Sequence, residues 1–393
     1  MRASDWTSGL QQAVRTRDSH LLHSLLTAFP QFDFGSLSAE LAATSSWTSF
    51  VPAEYASVAV AYAGFLHADE MALHPQFVRV FTAFTAQNVF CDEWQMQALR
   101  LLCADLASLA LANKDTDART AQSVTALDTL SRLSSIFNVE INRDRERMGV
   151  RGCCFFIPIN HQFRICFALN ELTRCPKIIE QVDKVLEFMS PSDFPPQDLV
   201  AYNYYLGRLR LINHEFEDAD KSLTIAWKEC PDGYIVHKRK ILLYLIPVRL
   251  VLGKPPSPDL LLQYNLFNMY GELIVSASTG NFADYDYHVM QRRNWFVRYK
   301  LFGVMKHRLK VSMFRNLLKQ VWAGLEFPRT IPFEHFAAAC RFAGLRDFSN
   351  EDSECICQSL VDLGYVKGYI NHDRRFLVLL KNNQFPSMYS IVQ

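Results

Sequence analysis

The sequence is short of residues that interrupt helices. Its 393 residues include only 15 glycines and 16 prolines, too few for a turn-rich β architecture. No apolar run reaches membrane-spanning length, and the nearest, Ile241–Leu252, is broken by Pro247 and Arg249. The opening Met1-Arg2-Ala3-Ser4-Asp5-Trp6 has no apolar core of the signal-peptide kind. These absences lead us to expect a soluble intracellular chain that does not engage a membrane. The ten cysteines then read as reduced thiols. None lies in Cys-x-x-Cys, and Cys153-Cys154 and Cys355-x-Cys357 have no second pair at zinc spacing. No metal or cofactor is expected.

Catalytic signatures are missing as well. There is no Gly-x-Gly-x-x-Gly, Walker loop, Gly-x-Ser-x-Gly or His-Glu-x-x-His. His20 and His23 could share a helix face, but no carboxylate pattern accompanies them, so they read as exposed or capping histidines. Asp and Glu form no paired constellation suited to acid/base work. No catalytic residue is assigned, and a non-enzyme is expected.

What is present is helix-forming and apolar. Half the residues (49%) are hydrophobic and 13% aromatic, enough to fill a large core in two or three domains or an extended array. Apolar residues recur at helical spacing over 5–28 (Leu10, Val14, Leu21, Leu22, Leu25, Leu26), with Asp5 as a cap. Residues 30–53, rich in Ser, Thr, Pro and Phe, read as loop. Residues 54–67, 73–112 and Thr116–Asn138 read as helices, with Asn113-Lys114-Asp115 as a break. The charged stretch 142–152 reads as a hinge. Three regions follow: 1–147, 148–305 and 306–393.

From about 155 to 305 the pattern is one of stacked helical hairpins. In Tyr202–Cys230, Tyr205-Leu206-Gly207 precedes Phe216, Ala219, Leu223 and Ala226. That spacing is similar to a tetratricopeptide unit, in which small residues let two helices approach. A lone hairpin cannot bury its apolar face, so neighbours must stack on it. Beyond 306 the pattern changes. Lys306–Trp322 predicts an amphipathic helix and Thr330 caps a second. Ser349-x-x-Asp352 opens a third as a capping box, and Gly364 ends it. Val366–Ile370 and Arg374–Leu379 alternate as strands about the turn Asn371-His372-Asp373. Three helices and a hairpin are the order of a winged helix. The expected fold is mainly α, a tetratricopeptide-like superhelix ending in a C-terminal winged helix.

Charge adds a functional clue. Residues 287–325 carry nine Lys/Arg and no Asp or Glu, although the whole chain has formal charge +1. Such sorting attracts polyanions. Arg292, Arg293, Lys306, Arg308, Lys310, Arg315 and Lys319 are the candidate phosphate contacts in the run. Lys367, Arg374 and Arg375, with Lys381, are candidates on the wing, where exposed charges have few structural roles. The competing reading is a solvated helix face paired with acids elsewhere. Lys238-Arg239-Lys240 reads as a nuclear address or, more simply, as the start of a helix facing an acidic partner.

Helical repeats joined to a winged helix resemble the layout of the PCI-domain family. The stretches Tyr204-Tyr205-Leu206-Gly207-Arg208, Leu243–Gly253, Phe314–Lys319 and Gly364–Ile370 carry the resemblance, which runs from Met148 to Phe385. They are similar to the branch found in the nuclear transcription-and-export complex. The family departs from this chain at Lys319-Gln320, where relatives tend to carry two lysines. The resemblance implies a scaffold that pairs its winged helix with a large Sac/GANP-type export scaffold. It also implies a small acidic Dss/Sem-type protein along the repeats, and a basic surface for RNA or DNA. Partner contacts would come from Lys238, Arg239, Lys240, Tyr365, Val366 and Tyr369. The implied location is the nucleus, nuclear pore included, with the cytoplasm left open. The alternative is a protein–protein scaffold of another PCI assembly, such as a splicing-associated complex, the signalosome or the proteasome lid.

Overall fold

The computed structural model describes residues 1–29, 35–43, 46–86, 89–90, 92–143 and 150–387. They form two compact units, Met1–Tyr205 and Leu206–Gln393. The boundary expected at 147/148 falls among residues 144–149, outside the described residues, as does most of the expected hinge.

The described residues of the first unit form helices: α1 (Ala3–Thr16), α2 (Ser19–Leu26), α3 (Gly35–Ala43), α4 (Ala56–Leu66), α5 (Leu73–Phe84), α6 (Met96–Ala112), α7 (Thr116–Arg143), α8 (Val150–Cys153), α9 (Phe156–Leu169) and α10 (Cys175–Leu186). The single helix expected over 5–28 is two, because Arg17 turns left-handed at φ 55°. Asp5 is not the cap but lies inside α1, where its carboxylate accepts the Arg2 amide at 3.3 Å. Helix α3 and a short 3-10 turn, Ser46–Phe50, occupy part of the expected loop. The expected helix 73–112 is interrupted after Phe84, and α7 outruns its expected end at Asn138.

Aromatic packing fills this unit. Trp6 stacks on Tyr62 at 5.8 Å while its indole donates to the Leu25 carbonyl. Phe163 stacks on Tyr205 at 5.9 Å. Polar groups here tie helices together. Asp105 accepts from Thr27 Oγ1 and the Ala28 amide and lies 3.0 Å from His23 Nε2. His23 therefore has a carboxylate partner that arrives from far along the chain.

The second unit begins within α11 (Pro196–Ile212) and continues through α12 (Phe216–Glu229), α13 (Ile235–Val251), α14 (Pro258–Gln263), α15 (Phe267–Thr279), α16 (Phe282–Gln291) and α17 (Arg293–Arg298). Gly207 explains the close approach of α11 and α12, since a Cβ there would lie 2.5 Å from Leu223 Cγ. Pro247 lies inside α13. It has no N–H for the carbonyl one turn back at Leu243, and Tyr270 Oη supplies the missing donor at 2.8 Å. Burial pushes the Tyr270 phenol far above its ordinary pKa, so the proton stays in place.

One turn of π-helix, Val304–Arg308, leads into α18 (Leu309–Gly324). After it come β1 (Thr330–Pro332), α19 (Phe333–Phe342), α20 (Asn350–Asp362), β2 (Gly368–Asn371) and β3 (Phe376–Leu379). This is a winged helix closing a helical array, as expected. Thr330 does not cap a helix; it pairs with Val378 in an antiparallel sheet of order β1-β3-β2. Ser349 and Asp352 do form the capping box of α20, and Gly364 follows that helix with φ 73°. Ile331, Leu377 and Leu360 are buried at the centre.

Candidate nucleic-acid interface

The acid-free run does not remain unpaired in space. Arg292 is bonded to Glu272 of α15, and its Nε donates to the Asn268 carbonyl at 2.9 Å. That bond draws the Glu272 carboxyl below its ordinary pKa. Lys306 and Lys310 both reach Asp286 of α16, at 3.1 and 3.0 Å. Burial alone would raise the Asp286 pKa, but the two ammonium groups bring it below the ordinary value. Arg315 is 8% exposed. Its guanidinium donates to the carbonyls of Tyr365 at 3.3 Å, Phe385 at 3.2 Å and Pro386 at 2.7 Å.

These placements correct part of the expected contact set. Arg315 is a strut between α18 and the segment after the sheet, and its burial withdraws it from phosphate. Arg292 already has a carboxylate partner, and Lys306 and Lys310 share one, so their outward field is reduced. Arg293, Arg308 and Lys319 are exposed. Arg293 lies 5.8 Å over the Phe302 ring. Lys319 lines a groove of about 520 Å³ with Leu250, Ile274 and Asn316.

The hairpin presents its cations differently. Arg374 and Arg375 are exposed at the wing tip, where a turn is fixed by the Arg374 amide bonding Asn371 Oδ1 at 3.1 Å. Lys367 and Lys381 are exposed too, but at the opposite end of the strands. There the Leu380 amide donates to the Lys367 carbonyl at 2.9 Å. Arg329 joins that end through its carbonyl, which accepts the Leu379 amide at 2.8 Å. Sequence reasoning missed Arg329 because only the unforeseen strand β1 brings it there. None of these five cations makes an ion pair among the described residues. Beside the tip, His372 Nδ1 lies 2.6 Å from Glu354 of α20, a bond that raises the His372 pKa.

The expected partner residues also divide. Lys238 is buried 4.5 Å over the Trp227 ring and bonded to Asp232. Val366 is buried, its amide bonded to Leu360. Both are removed from any partner surface, because aromatic and strand packing claims them. Lys238-Arg239-Lys240 lies inside α13 rather than opening it. Arg239 and Lys240 are exposed, Tyr365 is half-buried, and Tyr369 on the edge strand is 55% exposed.

Residues 283–381 match the PCI domain family. The chain carries a C-terminal PCI domain. It is 34% identical to a PCI domain-containing protein 2 homolog of Caenorhabditis elegans, over 59% of this chain and 55% of that protein. Identity to the Drosophila melanogaster homolog is 31%, over 62% and 59%. For the Dictyostelium discoideum homolog it is 27%, over 79% and 71%. The chain thus spans less than two thirds of the length of the C. elegans and Drosophila relatives. Proteins with a PCI domain are generally subunits of complexes rather than enzymes. The PCI match covers α16 to just beyond β3, and so contains both the acid-free run and the exposed hairpin. No described helix is long and apolar enough to cross a membrane.

Proposed function

We propose that the chain is a non-enzymatic scaffold subunit of a nuclear mRNA-export assembly, and that it holds RNA or DNA on its winged helix. One observation carries the nucleic-acid part. Arg329, Lys367, Arg374, Arg375 and Lys381 are all exposed at the two ends of one three-stranded sheet, with no ion pair among the described residues. A surface of this kind contacts phosphates without reading bases, so affinity should fall steeply with salt. Arg293, Arg308 and Lys319 could extend it.

The export role rests on the resemblance to PCI domain-containing protein 2. It brings with it the Sac/GANP-type scaffold, the acidic Dss/Sem-type protein and a nuclear location as proposed context. A tagged chain recovered from nuclear extract with those two partners would support the role. Recovery with signalosome, proteasome-lid or splicing-associated subunits would overturn it. RNA affinity across a salt series tests the surface itself, and weak, salt-insensitive binding would remove it.

A second reading has its own support. Tyr369, Leu363 and Leu380 are each about half exposed around the same sheet, and exposed apolar side chains beside an edge strand suit a protein partner. On that reading the hairpin joins a neighbouring subunit and isolated RNA binding is weak.

A further inference from the structure

Arg329, Lys367 and Lys381 come from three stretches of chain, yet backbone bonds gather them at the end of the sheet away from the wing tip. Two residues before Arg329 stands Phe327, 63% exposed. Phe327 and Glu326 both adopt positive φ, 62° and 61°. That region is uncommon for residues other than glycine and costs free energy for a bulky one. The left-handed backbone closes the end of α18, where the Phe327 amide donates to the Trp322 carbonyl at 3.0 Å, and it leaves the ring in water. Trp322 meets it edge-on at 4.9 Å and 77°. The Trp322 indole donates to the Pro328 carbonyl at 3.0 Å, which fixes the turn from below. Glu326 is the sole carboxylate between 323 and 332.

An aromatic face fixed in solvent beside cations suits an unpaired base, since every base has a π-face and its phosphates need positive charge. A duplex bound in the usual winged-helix manner would need α20 in the major groove. That helix exposes Glu351, Asp352 and Asp362 and contains no Lys or Arg, so phosphates on either side would repel it. We infer that Phe327 is a stacking platform for a base of single-stranded nucleic acid, with Arg329, Lys367 and Lys381 on the flanking phosphates. The inference rests on the nucleic-acid reading proposed above. A β-strand of four residues, roughly 13 Å at the usual rise, separates the cations at this end of the sheet from the wing tip, so one nucleic-acid strand can touch both.

The test uses the full chain and fluorescence anisotropy with labelled oligouridine, oligothymidine and a mixed-sequence duplex. F327A should weaken binding to the single strands about 10-fold, the scale of one lost base–aromatic stack, and leave the duplex within about twofold. F327Y should bind as the parent does. F327L keeps an apolar contact with Trp322 but has no π-face, and should behave as F327A. A loss on oligouridine alone would assign the platform to RNA. Unchanged single-strand affinity in F327A, or an equal loss on the duplex, overturns the platform. If the unaltered chain binds none of the three at low salt, the nucleic-acid reading itself fails and the platform with it.

Discussion

Between Arg292 and Lys310 the chain has no acid of its own, yet Arg292 meets Glu272, and Lys306 and Lys310 meet Asp286. Between Lys367 and Lys381 there is one acid, Asp373, yet Lys367, Arg374, Arg375 and Lys381 have no ion pair among the described residues. In space the acid-free stretch is therefore partly neutralised, although Arg293, Arg298 and Arg308 stay exposed in it. Helices bring in charges from neighbouring elements. Asp286 stands one residue before the run and Glu272 one helix earlier. A hairpin reaching into solvent has fewer neighbours to do this. Linear charge density alone therefore does not give the outward field, which is better read from what each cation touches.

This contrast can be broken. The largest effect belongs to the hairpin. Arg374→Glu with Arg375→Glu should lower single-stranded RNA affinity on the order of 10²-fold at low salt and flatten the salt dependence by about 1.4 in logarithmic slope. Thermal unfolding should stay where it is. Next comes Arg315→Ala, which leaves three backbone carbonyls without their donor. We expect a stability loss of about 3 kcal/mol by denaturant titration, with RNA affinity of the folded chain unchanged. If the two phenotypes were exchanged, struts and contacts would have been assigned the wrong way round.

Asp286→Asn should be milder, about 0.5–1 kcal/mol of stability for a partly exposed pair. It should also raise low-salt RNA affinity, because Lys306 and Lys310 lose their counter-charge. The Asp286 pKa lies below its ordinary 3.8, so its contribution is complete above that value and fades as the pH falls through the folded-state pKa. Parent and variant should therefore converge in acid. The smallest effect is at the wing. His372 should titrate above its ordinary 6.5, and Glu354→Gln should bring it back, as read from ring proton shifts. Any stabilisation from that bond is present below 6.5 and lost as the pH rises through the raised value.

The winged helix was legible because its signals are local. Ser349 with Asp352, Gly364, and the alternation from Val366 to Ile370 each act within a few residues. Strand β1 was not, since three residues carry no periodicity and its pairing comes from Leu377 and Val378. Helix α3 was hidden by a composition that suits loops. Of the candidate interface, the wing arginines could be found by position alone. The neutralisation of Lys306 and Lys310 could not, because tertiary packing sets which acid faces them. Phe327 gave no sign at all, since neither a left-handed backbone nor an unburied ring is written in a Phe-Pro-Arg triplet.

Pro247 has a consequence for how the second unit comes together. The ladder of α13 has a gap opposite that proline, and the donor that fills it belongs to Tyr270, 27 residues from Leu243. The helix is therefore incomplete on its own and is completed only when α15 docks. A fragment ending before Tyr270 would leave a buried carbonyl bare, so α13 to α15 form the shortest stretch that closes its own bonds. Truncations intended to isolate part of this array should respect that lower bound.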